Sequence, residues 1–138
     1  MREFPVAMDA LVEISRQGSF KDVLAVLGPP PSGLPTSRRE GIFLTPDQYY
    51  VGYVHYEGWP THTVRVEMPG PGVGPCYQVS RALELARAAP DLRESVGAHG
   101  EPVLKHGGMR THIQGSRPGG GCLEQVVFTM KKPSAAAE

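Results

Sequence analysis

Cys76 has the setting of a nucleophile. It sits in Gly74-Pro75-Cys76-Tyr77-Gln78-Val79-Ser80, directly ahead of a strong helical pattern. A thiol at a helix start feels the positive end of the macrodipole, which favours the thiolate. His99, His106 and His112 follow downstream. A cysteine at a helix start with a later histidine on a strand is the chain order of several cysteine hydrolases. On that reading a small hydrolase or transferase would use Cys76 as nucleophile and His106 or His112 as base, oriented by Gln114 or Glu124. No extended signature surrounds Cys76, and a cysteine that simply packs is the competing reading, which the residues favour.

The second concentration of chemistry is aromatic. The chain has 5 Tyr and 1 Trp. Tyr49, Tyr50, Tyr53, Tyr56 and Trp59 all lie in the stretch 49–59, YYVGYVHYEGW. Tyr, Trp and Val favour a pleated, half-buried strand, so a strand is predicted over 48–57. Alternation puts Tyr49, Val51, Tyr53, His55 and Glu57 on one face, and Tyr50, Val54 and Tyr56 on the other, with a gap at Gly52. Aromatic rings with hydroxyl tips suit a binding surface. Arg38, Arg39 and Glu40 on one side, with Asp47 and Glu57 at the strand ends, would make a polar rim around it. A central strand with its hydroxyls satisfied internally is the alternative.

Other chemistries find less support. His55 and His62 are seven apart, as are His99 and His106, with His112 six further on. None of these spacings matches C-x-x-C, H-E-x-x-H or a close zinc pair, so no metal is expected. The glycine-rich segment 70–74 precedes a helix but lacks the G-K-[ST] ending and the G-x-G-x-x-G spacing of phosphate loops. Gly119-Gly120-Gly121 precedes a strand and reads as a hairpin connection. No cofactor is expected.

Behind these residues stands a chain of 138 residues, the size of one domain, with 40% hydrophobic and 20% charged residues. The formal net charge of +0 argues against a nucleic-acid partner. No apolar run of about 18 residues predicts a membrane span, and MREFPVAMDA lacks the apolar region of a signal peptide. Two cysteines make no disulfide framework, so a cytoplasmic protein with both thiols reduced is the expectation.

The elements that would position these residues read as follows. Val6, Ala10, Leu11 and Ile14 recur at helical spacing, predicting a helix over 6–16 stopped by Gly18. Ser19 and Asp22 resemble a capping box opening a second helix with Phe20, Val23, Leu24 and Leu27 as its apolar stripe, ended by Gly28. The prolines at 29–31 form a stiff loop, and 36–40 reads as polar and exposed. A short strand at 41–44 and a turn at Thr45-Pro46-Asp47-Gln48 lead into the aromatic strand. A third strand over 61–68 has Val64, Val66 and Met68 on its core face, completing an antiparallel meander. The run Pro69-Gly70-Pro71-Gly72-Val73-Gly74-Pro75 is a seam, residues 69–75, between two halves at 1–69 and 76–132 of one α+β domain spanning 1–132. In the second half a helix is predicted over 78–89 and a helical turn over 90–96. Strands follow over 102–106, 109–114 and 123–130, with a flexible glycine-rich loop at 115–121. A tail over 133–138 has no reason to be ordered. The halves share an order of elements at an offset of about 70 residues, the sign of a duplication, though few residues are identical and chance matches are the competing explanation. The overall expectation is an antiparallel or mixed sheet of five to six strands with helices on one face.

The helix, the Leu27-Gly28-Pro29-Pro30 turn and the strand meander across 20–68 resemble a small bacterial unit. It occurs in beta-lactamase inhibitory proteins, in small lipoproteins of outer-membrane assembly and in α+β immunity proteins that neutralise toxins. No lipobox cysteine is present, which removes the lipoprotein branch. The resemblance implies a helix-covered sheet used as a binding surface rather than an active site, and no functional residue is carried over from it. Together these readings predict a module that binds another protein, a toxin or an enzyme, through Tyr49, Tyr53, Tyr56, Trp59, Arg38, Arg39, Asp47 and Glu57.

Overall fold

In the stretch 63–67, Thr63, Arg65 and Glu67 alternate with Val64 and Val66, and this amphipathic ribbon is where the two halves of the chain meet. The structure is a computed structural model and describes residues 2–28, 36–58, 62–70 and 72–130, with the backbone alone for 36–40. Trp59, the prolines at 29–31 and the tail from 131 lie outside the described residues. The elements in chain order are β1 (Arg2–Glu3), α1 (Met8–Glu13) running into a 3-10 turn (Ile14–Gln17), α2 (Phe20–Leu27), β2 (Thr36–Leu44), β3 (Tyr50–Glu57), β4 (Thr63–Glu67), α3 (Val79–Ala86), β5 (Arg93–Val96), β6 (Pro102–His106), β7 (Met109–Arg117) and β8 (Gly120–Met130). The fold is α+β. One sheet of eight strands has the order β1-β2-β3-β4-β8-β7-β6-β5. The β1–β2 pair is parallel and every other pair antiparallel.

β4 and β8 are the central pair. Val64 stands opposite Phe128 and Val66 opposite Val126, and all four are 0% exposed. With Val54, Tyr56 and Ile113 from flanking strands they form one apolar cluster with Leu11 and Val12 of α1, Val23 and Leu27 of α2, and Ala82 and Leu83 of α3. The three helices therefore cover one face of the sheet. The opposite face is set by the same register. Across it runs a row Tyr53, Glu67, Gln125, Gln114 and a second row His55, Arg65, Val127, His112. All eight are partly exposed, and none is buried in the cluster.

The sheet is larger than the five to six strands expected, for local reasons. β1 has only two residues, too few for alternation to register. β5 has four, all exposed; with no buried residue it carries no strand pattern, and the expected helical turn at 90–96 is, from Arg93 on, this edge strand. The expected loop at 115–121 is mostly strand, because β7 and β8 continue past two register shifts to the pair Arg117 and Gly120. Likewise 36–40 is not a loop but the first part of β2. Helix 6–16 is shorter, since Ile14–Gln17 tightens to a 3-10 turn. Ser19 makes no side-chain cap bond, so the capping box does not form.

Asp9 of α1 clamps the helical layer. It accepts hydrogen bonds from the Tyr77 hydroxyl at 2.6 Å and from Arg81 Nε of α3 at 2.9 Å. The Arg81 hydrogen bond, offset in part by burial and aided by Tyr77, holds the Asp9 carboxyl below its ordinary value. A folded-state value below the unfolded one means that this stability is complete above the ordinary carboxylate range near pH 4 and is lost as pH falls through the lowered value. Asp9→Asn should therefore flatten the fall of melting temperature between about pH 5 and pH 2, read by thermal melts across that window. Phe128→Ala should cost about 3–5 kcal/mol in a denaturant titration, through the cavity left beside Val64.

Candidate binding site: an aromatic cleft on the open face of the sheet

Where β4 ends, the chain leaves the sheet through residues 69–75 and then returns to it. Met68 N–H still bonds the Glu124 carbonyl at 2.9 Å. Beyond the loop, Gln78 bridges Cys122 and the Leu123 N–H donates to the Tyr77 carbonyl at 2.7 Å. The 76–78 segment thus takes the edge of β8 that β4 has vacated, because β7 already holds the other edge through Gly115 and Leu123. Residues 69, 70 and 72–75 border an open cleft of about 760 Å³. Its lining includes Tyr49, Tyr50, Tyr53, Tyr77, Met68, Glu67, Glu124, Gln114 and Gln125.

The aromatic walls are held in place. Tyr49 meets Tyr77 edge to face, with centroids 5.1 Å apart and planes at 81°. Tyr77 is 3% exposed, and burial and its bond to Asp9 raise its phenol above the ordinary value. Gly74, with φ +76, lets the Tyr50 ring lie on its backbone; a Cβ there would stand 2.0 Å from Tyr50 Cδ2. Gln125 Nε2 donates to Gln114 Oε1 at 2.6 Å, fixing the two amides of the floor. Glu67 and Glu124 have no ion-pair partner among the described residues. In the next row, His55 Nε2 and Arg65 Nη2 each stand 3.4 Å from Glu57 Oε1.

The expected site residues are placed as follows. Tyr49 and Tyr53 line the cleft, and Glu57 lies two rows on from Tyr53, opposite Thr63 and within reach of Arg65. Tyr56 is core, 1% exposed, with its hydroxyl bonded to the Leu27 and Gly28 carbonyls; it cannot serve as an exposed anchor. Tyr56 shares the face of Val54, as alternation has it; the departure is Val51, buried with them because β3 changes phase at Gly52. Pairing with β4 begins only at Tyr53 and β2 slips between Glu40 and Phe43, so Val51, Val54 and Tyr56 are all buried. Asp47 is not a rim charge either. Its carboxylate accepts the Met8 N–H at the start of α1, at 3.0 and 3.1 Å, and the Thr45 hydroxyl at 2.6 Å. In the backbone register Arg38 stands beside His55 and Arg39 beside Val54.

The thiol chemistry is corrected. Cys76 and Cys122 are joined by a disulfide and no described cysteine is free. Their Cα atoms are 5.2 Å apart, within the range a disulfide spans, because the 76–78 segment lies against β8. In this state Cys76 presents no thiolate. His106 pairs with Met109, about 20 Å along β7 from Gly115 at the strand rise of about 3.3 Å, and abuts Gly18 on the helical side. His112 lies on the open face, with Nδ1 3.4 Å from Glu101. Cys76 and these histidines do not converge. No group of three metal-ligating side chains gathers among the described residues. Nor, among them, is any helix long and apolar enough to cross a membrane.

Tyr50, Tyr77, Glu67 and Gln125 were not singled out by the sequence. The aromatic run pointed to Tyr50, but nothing local announces that β8 lies beside β4. Neither the family models, nor the curated proteins, nor the solved structures yield a match to this chain. A thiol assay on the denatured, unreduced protein should find no free cysteine. Reduction, or Cys76→Ala with Cys122→Ala, should lower stability by about 2–4 kcal/mol, since the bond closes a loop across 46 positions.

Proposed function

We propose that this chain is a protein-binding module of the immunity-protein or inhibitor kind, whose partner, a toxin or an enzyme, docks on the open face of the sheet. One observation carries the reading. The helices pack on one face of the sheet, while the other is left to partly exposed Tyr53, His55, Arg65, Glu67, Gln114, Gln125 and His112. Side chains on a strand-borne surface are held by the ladder on both sides, so little entropy is lost on docking. Tyr and Arg are among the residues enriched in protein interfaces. Mixed signs at the end of β3, with Arg65 and His55 of the second row beside Glu57, give the electrostatic pattern that selects a partner rather than a general attraction. The anchors in this reading are Tyr49, Tyr53 and Glu57, joined by Arg65 and Gln125. The Cys76–Cys122 bond suits an oxidising compartment better than the cytoplasm expected from composition.

Tagged protein should capture one stoichiometric partner from its own cells. Tyr53→Ala with Arg65→Glu should weaken that capture about tenfold or more, while Lys21→Glu on the helical side leaves it intact. Unchanged melting temperatures would show that the loss is not unfolding. Capture indifferent to the open-face variants, or no partner at all, overturns the reading.

A further inference from the structure

We infer that the cleft bordered by residues 69, 70 and 72–75 is a receptor for an arginine side chain of the partner protein. The inference rests on the protein-binding reading above and adds the chemistry of its anchor. Charge supports it first: among the described residues the cleft is lined by Glu67 and Glu124 and by no Lys, Arg or His. Both carboxylates lack an ion-pair partner among the described residues. The rings come second, with Tyr49, Tyr50, Tyr53 and Tyr77 all in the lining. A planar guanidinium stacks on aromatic faces and pairs carboxylates through a fork of donors, which a compact ammonium cannot do equally well. Rigidity is the third support. Tyr50 rests on Gly74, Tyr49 on Tyr77, and the loop is tied to β8 by the disulfide, so the walls need little ordering on binding. The Gln114–Gln125 pair on the floor offers amide oxygens to the remaining guanidinium protons. At about 760 Å³ the cleft has the size of ordinary ligand sites, enough for a whole side chain and its flanking backbone. An anion would find no cation there among the described residues, and a purely apolar side chain would leave both carboxylates without a partner.

The probe is N-acetyl-L-arginine amide, titrated into the intact, oxidised protein and followed by amide chemical shifts. Its neutral isostere N-acetyl-L-citrulline amide and N-acetyl-L-lysine amide are run beside it. Saturable shifts confined to Tyr50, Tyr53, Glu67 and Gln125 are expected with the arginine probe, at an affinity on the order of millimolar for so small a ligand. Citrulline amide should bind at least about tenfold more weakly, as should arginine amide to Glu67→Gln with Glu124→Gln, since each removes a charge-assisted pair. The same double variant should lose partner capture. Shifts equal for arginine and citrulline, or lying outside the cleft, overturn the inference; partner capture still sensitive to Arg65→Glu would then leave the protein-binding reading standing. A lysine probe that binds as tightly overturns the guanidinium assignment. Arginine binding without any effect of the double variant on capture overturns the role as a partner anchor and makes the cleft a site for a free cation.

Discussion

The pairing of β4 with β8 is the constraint on which the rest of the protein depends. These strands come from opposite halves of the chain, and each half alone would leave a strip of Val and Phe in water. Together they bring Val64, Val66, Val126 and Phe128 to zero exposure and turn two small meanders into one sheet. The helices then have a single apolar surface to cover. Because strand side chains alternate, the decision that buries Val64 and Val66 also sends Arg65 and Glu67 to the opposite face. The open face is thus the necessary complement of the core.

The cleft follows from the same pairing. β4 stops at Glu67 while β8 runs on to Gly120, which leaves an unpaired edge at Leu123 and Cys122. The chain cannot cross to α3 without passing that edge, and the Pro- and Gly-rich loop forbids continuing either a strand or a helix. It therefore bulges outward and returns, with Gln78 and Tyr77 satisfying the vacant edge. The Tyr77 side chain reaches back to Asp9, so one residue joins the cleft wall, the sheet edge and the helical layer. The disulfide fastens the same crossing. A loop held at both ends over a row of tyrosines is a wall, and Gly74 allows it to sit close enough for Tyr50 to lie against it.

Much of this was legible in the residues. Helices at Phe20–Leu27 and Val79–Ala86 stand out because their apolar positions recur at 3.6-residue spacing, and β4 and β8 because theirs alternate. The turn at Thr45–Gln48 and the seam at 69–75 were marked by Pro, Asp and Gly. β5 was hidden because an edge strand with every side chain in water carries no burial pattern. The phase of β3 was misplaced because the slip at Gly52 is a property of its neighbours, β2 and β4, not of its own residues.

On its own, then, the sequence determined the fold class, the helix and strand periods, and the clustering of Tyr in one strand, since these are local consequences of side-chain type and spacing. Tertiary structure alone decided which tyrosines are walls and which is core, that Asp47 caps a helix rather than facing a partner, and that Cys76 meets Cys122 across 46 positions. The physical reason is common to all three. Each depends on which strands lie side by side, and that pairing is chosen by the burial of the whole apolar surface at once, a sum that no single stretch of the chain contains.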